Sequence, residues 1–273
     1  MEKIIGLMQG RLTKIKNNRI QQFPFDNWIN ELKILNKIGI NKIEWLIDEY
    51  YKENPILNKK NLNEIIKQTK KYKIEIVSIC CDNFMFNNFF NDKFSFSKLK
   101  HFVNICSILK IKQIDIPLLK KNSIRNRIKM DYLVEKLNKF YSLLKKKNVT
   151  LTFETDLNNK QTLSFISKIK NKDYFGITYD TGNSTFFGYD YKKEINTFGE
   201  YIKNVHIKDC TKKDYSVPLG KGHTKFNEIL KLLKKKNYNG NFIFQAARNS
   251  TNDTSEIKAY LRFFKNKLNK YYL

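Results

Sequence analysis

Four short stretches of this chain end in residues that can do chemistry. "LTFETD" carries Glu154, "ITYDTG" carries Asp180, "VHIKD" carries His206 and "NFIFQAA" carries Gln245. Each polar residue interrupts or closes an apolar, β-branched or aromatic run. Such a residue is costly to bury unless it is paired or ligating. Two carboxylates, one imidazole and one amide oxygen make a hard, mixed nitrogen and oxygen shell. That set suits one divalent metal ion such as Mn, Mg, Co or Zn, and is unlike a thiolate-rich structural zinc site. Other polar residues near run ends are Gln9, Arg11, Glu44, Asp48, Asp82, Asp115, Asp156, Asn183, Lys208, Asp209 and Arg248. Of these, Gln9, Arg11, Glu44, Asn183, Lys208 and Arg248 are expected to bind substrate.

The elements that must position them alternate along the chain. Runs at 4–10, 42–48, 74–82, 113–119, 149–156, 175–182, 204–209 and 241–247 read as strands. Lys-rich amphipathic stretches follow each of them. The first opens near Asp26, where Trp28, Leu32, Leu35 and Ile38 keep helical spacing and Gly39 supplies a stop. The last covers about 254–269. Eight strand-then-helix units imply right-handed crossovers and a parallel sheet. In 273 residues they fit one α/β domain, a single-domain (β/α)8 TIM barrel over 1–273. An open doubly wound sheet is the alternative, but no Gly-rich phosphate loop follows the first strand. In a barrel, strand-end side chains converge on one mouth. The Phe- and Asn-rich stretch 81–97 reads as either a lid or packing filler.

Composition narrows the partners. The formal charge is +26, which invites a nucleic-acid reading. The excess is nearly all Lys, however; arginine occurs only at 11, 19, 125, 127, 248 and 262. Asn and Ile are also abundant, and alanine occurs only at 246, 247 and 259. An AT-rich coding bias accounts for all of these together. Aromatic and basic residues are not interleaved as in single-strand binders, so nucleic acid is not an expected partner. Cys80, Cys81, Cys106 and Cys210 have no metal or disulfide spacing and read as reduced thiols. No apolar run reaches the ~20 residues of a membrane span, and the N-terminal run is too short for a signal segment. The expected location is the cytoplasm, with no membrane partner. A homo-oligomer is compatible with the sequence.

The order of Glu in strand five, Asp in "DTG", His in "HIKD", then "LGKG" and "GNFIFQ" resembles the xylose isomerase-like TIM barrel family. That family includes sugar isomerases, D-tagatose 3-epimerase-type enzymes, hydroxypyruvate isomerase, inosose dehydratase and endonuclease IV. The opening "GLMQGRL" with "FPFDNWINELKILNKIGINKIEW" resembles the sugar phosphate isomerase/epimerase-like branch. The resemblance implies Glu154, Asp180 and His206 as metal ligands and Glu154 as an acid/base. Gln245 stands where many members place a second ligating Glu, and Asn183 where a His is usual. With three histidines in the whole chain, the multi-metal endonuclease chemistry fits poorly.

The implied activity is a metal-dependent isomerase or epimerase of a small carbohydrate, working through an enediolate. Gln245 can lend a carbonyl oxygen to a metal but cannot take a proton. Proton transfer from two sides is therefore disfavoured, unless Lys208, Asp209 or Glu44 supplies the second proton. A sugar or inosose-type dehydratase with the same metal site is the alternative enzyme. A non-catalytic carbohydrate-binding barrel is the alternative from another class. Arg248 and the turn "LGKGHT" at 219–224 are where a phosphorylated substrate would be held.

Overall fold

The structure is a computed structural model; it describes residues 4–14, 21–86, 90, 95–247 and 254–273. Eight parallel strands close into one barrel in chain order. They are β1 (Ile5–Met8), β2 (Lys42–Leu46), β3 (Glu75–Cys80), β4 (Gln113–Leu118), β5 (Thr150–Thr155), β6 (Phe175–Asp180), β7 (Ile202–Ile207) and β8 (Phe242–Phe244). Closure comes from β1 pairing with β8, Ile5 opposite Phe242 and Leu7 opposite Phe244. All eight expected strands are present.

The helices are α1 (Trp28–Lys37), α2 (Lys59–Lys71), α3 (Asn83–Phe86), α4 (Ser95–Leu109), α5 (Arg127–Lys147), α6 (Asn159–Ser167), α7 (Thr181–Phe186), α8 (Tyr191–Phe198), α9 (Phe226–Lys235) and α10 (Ser255–Tyr271). Their apolar faces bury residues such as Leu32, Leu35, Ile65, Leu133, Leu137, Phe165, Leu233 and Phe264 between helix ring and barrel. Their lysines remain outside, as amphipathic spacing requires. Two short helices, α3 and α7, were not anticipated. α7 begins directly after β6 because Asp180 caps it, its carboxylate accepting the Asn183 amide. The stretch 81–97, expected as either a lid or packing filler, holds α3 and the start of α4; residues 87–89 and 91–94 lie outside the described residues.

Inside the barrel the chain does something unusual for a packed core. Glu44, Ser78, Asp115, Thr152, Thr178, Asn204 and His206 are all buried, on six successive strands. Register explains how they meet. Glu44 lies opposite Ser78, Asp115 opposite Thr152, and Thr178 opposite Asn204. Side chains two apart on a strand share a face, so Asn204 and His206 both point inward.

Two buried carboxylates fasten the loops at the mouth. Glu31 of α1 accepts the amides of Gly10 at 2.8 and 3.0 Å and of Leu12 at 3.1 Å, holding the turn that carries Arg11. Asp209 accepts the amides of Gly220 and Gly222, both at 2.9 Å, Thr224 at 3.1 Å and Cys210 at 3.0 Å. Gly222 is required there, since a Cβ would lie 2.2 Å from Asp209 Oδ1. Removing the Asp209 carboxylate strands several inward-facing amides, each costing about 1–3 kcal/mol. Asp209→Ala should therefore lower unfolding stability by about 3–5 kcal/mol in chemical denaturation. A loss below about 1 kcal/mol would show that the turn holds its shape without the carboxylate.

Candidate functional site

His206 is the centre of the polar interior and is fully buried. Its Nε2 lies 2.8 Å from Glu44 Oε1. The other Glu44 oxygen accepts the Ser78 hydroxyl at 2.6 Å and the Asn204 amide at 2.9 Å. Glu44 accepts only, so Nε2 carries the hydrogen and Nδ1 is turned the other way. Nδ1 has no aligned hydrogen bond, although Glu154 Oε2 is 3.2 Å away.

Glu154 at the end of β5 is fixed from its other side. Asn183 Nδ2 donates to Glu154 Oε1 in a very short contact, and Lys208 Nζ donates to Asn183 Oδ1 at 2.5 Å. Lysine can only donate, which settles the orientation of the amide. Lys208 Nζ also lies 3.2 Å from Asp180 Oδ2 and 3.8 Å from the centroid of the Tyr215 ring. The stretch "DTG" makes this possible. Asp180 offers the carboxylate, and the Thr181 hydroxyl bridges the backbone of His206 and Lys208. At Gly182 a Cβ would meet the Lys208 methylenes at 2.6–2.9 Å, so only glycine lets that chain pass.

Opposing forces act on these charges. Burial favours neutral forms, yet the carboxylates of Glu44 and Glu154 hold the His206 imidazole well above its usual range. For Glu154, burial is outweighed by the close His206 imidazole, with Lys208 and Asn183 adding to it, and its carboxyl is lowered. Burial raises Asp180, partly offset by Lys208, and raises Asp115 strongly. Asp82, after β3, is pushed up to about 7 by burial and by the nearby charges of Glu154 and Asp48.

Asp115, Glu154 and His206 each offer one ligand atom, and these atoms lie within 4.8 Å of one another. They form a possible cation site of hard donors. Asp115 is the more occupied carboxylate. Its Oδ1 accepts the hydroxyls of Thr178 and Thr152, and its Oδ2 is 4.0 Å from Nε2, the nitrogen already held by Glu44. Close by, His206 Nδ1 and Asp180 Oδ2 are buried without an aligned hydrogen bond, with Glu154 Oε2 3.2 Å from the first and Lys208 Nζ 3.2 Å from the second; Asp180, opposite His206 in register, is outside the group of three. Once the imidazole gives up its Nδ1 proton, that nitrogen beside Glu154 suits a divalent cation. The carboxylate behind the imidazole is the usual support of a metal-bound histidine.

The remaining expected residues separate into two groups. Arg11, Gln245, Glu154 and Lys208 line one cavity of about 440 Å³, together with Asp82 and Tyr215. Gln245 continues the β7 ladder, its amide donating to Ile207 O at 3.1 Å. Its Nε2 donates to Gln21 Oε1, which also accepts from Arg11, so the Gln245 carbonyl oxygen is the atom left open. Glu44 and Gln9, expected at the substrate, lie elsewhere. Glu44 sits beneath the imidazole with both oxygens engaged, and Gln9, fully buried, accepts from Leu46 N at 3.2 Å. Neither lines the cavity. Arg248 lies outside the described residues. The expected phosphate cradle at 219–224 is also corrected. Asp209 takes the amides of Gly220, Gly222 and Thr224, Pro218 O takes Lys221 and Cys210 O takes His223. Ser78 and Asn204 were missed. Their one signal in sequence is a polar residue on the inward face of a strand, as in "NVH".

Comparison with known proteins agrees with this architecture. No curated protein matches the chain at a significant level. Among solved structures, a xylose isomerase domain protein from Planctomyces limnophilus superposes with a TM-score of 0.72 at 13% identity, covering 98% of each chain. A D-psicose 3-epimerase from Clostridium cellulolyticum H10, solved with D-tagatose, gives 0.73 at 13% identity, covering 97% of this chain and 99% of the other. An IOLI protein with a bound zinc atom gives 0.71 at 16% identity, covering 98% and 99%. At these identities the likeness shows the fold. Among the described residues no helix is long and apolar enough to cross a membrane. The family model for the xylose isomerase-like TIM barrel matches residues 32–267, and the chain belongs to that family.

Proposed function

We propose that the protein is a metal-dependent isomerase or epimerase of small carbohydrates, with Glu154 as the base. The observation that carries this reading is the buried His206 Nδ1, which faces Glu154 Oε2 at 3.2 Å without an aligned hydrogen bond, with Glu44 fixing the opposite ring nitrogen. His206, Glu154 and Asp180 would hold the ion, and the open carbonyl oxygen of Gln245 faces the same mouth. Bound there, a divalent ion supplies Lewis-acid polarisation to adjacent oxygens of a hydroxy-ketone or hydroxy-aldehyde. The neighbours lend support: one is a D-psicose 3-epimerase solved with D-tagatose and another binds zinc.

The chain's own residues then account for the proton. Glu154 has a lowered pKa and is a carboxylate at neutral pH, ready to take the hydrogen from the carbon beside the carbonyl. Asn183 holds Oε1 so that the carboxylate cannot rotate away. Lys208 places a positive charge where a substrate oxygen gains negative charge. Glu44 and Asp209 are committed to His206 and to the 219–224 turn, so neither can supply a second proton. With glutamine on strand eight, Lys208 is the one remaining candidate of the three for a second proton; unless it serves, transfer runs on one face, which favours aldose–ketose isomerisation over epimerisation.

Three outcomes follow. The protein should take up about one divalent ion per chain, and Glu44→Gln should weaken manganese binding by about 10–100-fold in calorimetry, because the imidazole loses its acceptor. Unchanged affinity in that variant would remove Glu44 from the account. Gln245→Glu should tighten binding about tenfold by adding a third negative charge. In D₂O with manganese, a sugar substrate should gain solvent deuterium beside its carbonyl. Glu154→Gln should slow this about 10²–10⁴-fold. A panel of aldoses and ketoses that neither exchanges nor interconverts would refute the enzymatic reading.

A further inference from the structure

We propose that Asp82 is a specificity residue. It accepts hydroxyl hydrogens from the sugar, so that the mouth admits an uncharged sugar and rejects its phosphate ester. This rests on the carbohydrate reading above and deepens it.

Asp82 follows β3 and lines the same cavity as Glu154, Lys208 and Gln245, yet it is only 8% exposed. Among the described residues, no hydrogen bond and no ion pair within 4 Å involves its carboxylate. Three other acids near the mouth differ. Asp48 accepts the amides of Phe23 at 2.9 Å and Tyr50 at 3.1 Å, and Asp156 accepts the Ser123 hydroxyl at 2.7 Å. Asp209 is filled by backbone amides. A buried carboxylate without donors is an expensive arrangement. It is relieved when a ligand brings donors, and the hydroxyls of a sugar are donors of that kind.

A phosphate at this wall would bring negative charge and mostly acceptor oxygens. It would meet the Asp82 side chain in a cavity that Glu154 and Asp48 also line. Arg11 and Lys120 act in the opposite direction, but Arg11 is engaged by Gln21 and Lys120 is exposed at the rim. A second observation points the same way. Every amide of residues 220–224, in the loop where barrels often hold phosphate, already has an acceptor within the protein. Discrimination here is a like-charge contact built against the wrong ligand.

The test is calorimetric titration of the manganese-supplemented protein with D-fructose, D-psicose and D-tagatose and with their 1- and 6-phosphates. At least one free ketose should bind about tenfold or more tightly than its phosphates. Asp82→Asn should weaken the free sugar about tenfold and bring the phosphates within a few-fold of it, with manganese affinity unchanged. In turnover the loss should fall on KM rather than kcat. Asp82→Ala should give the same ranking, and the wild-type preference stands as a test if either variant fails to fold. Tighter binding of a phosphate overturns the inference while leaving the carbohydrate reading intact. So does an Asp82→Asn variant with unchanged affinity, or one that loses kcat alone. Binding of neither sugars nor phosphates overturns the carbohydrate reading itself, and the inference with it.

Discussion

The hydrogen bond between His206 Nε2 and Glu44, 2.8 Å long and wholly inside the barrel, is the constraint on which the site depends. It decides which ring nitrogen faces the mouth. Glu44 in turn is held by Ser78 and Asn204, so one imidazole orientation is set by three strands. A buried carboxylate and imidazole are tolerable together because each satisfies the other. Around them Thr152, Thr178 and Asp115 extend the network rather than the hydrocarbon core. The hydrophobic core is displaced outward, between strands and helices, where Leu and Phe side chains fill it. The barrel thus spends its interior on orientation and its outer layer on stability.

The mouth is arranged by the same economy of donors. Lysine and arginine can only donate, and they set the direction of every amide near them. Lys208 turns Asn183 so that its nitrogen reaches Glu154; Arg11 turns Gln21 so that Gln245 must present its nitrogen there. The consequence on strand eight is an open carbonyl oxygen. It can coordinate but cannot accept a proton at neutral pH. Asymmetry between Glu154 and Gln245 therefore follows from residue type and local bonding together. Glu31 and Asp209, one on α1 and one at the end of β7, brace the loops on which Arg11 and the 219–224 turn stand.

Much of this was legible in the sequence. The alternation of short apolar runs with Lys-rich helical stretches gives the eight units, because crossover topology leaves few other arrangements. Glu154, Asp180, His206 and Lys208 were conspicuous as polar residues at the ends of such runs. What could not be read was depth. Glu44 in "KIEWL" looks like another strand-end acid, but a register opposite Ser78 puts it below the imidazole. "LGKGHT" looks like an anion loop until Asp209, distant by up to 15 residues, is seen to fill it. Helix α7 was invisible because its first residues, Thr181 and Gly182, were read as part of the strand 175–182, whereas Asp180 both ends β6 and caps the helix. Such facts belong to tertiary contacts, which a one-dimensional pattern does not encode.

The most direct measurement is an anomalous-diffraction map from crystals of the protein grown with manganese. The account predicts one peak per chain within bonding distance of His206 Nδ1, Glu154 and Asp180, with Glu44 still hydrogen-bonded to Nε2. A peak on the Asp115 side, bonded to Nε2, or no peak near His206 at all, would contradict it.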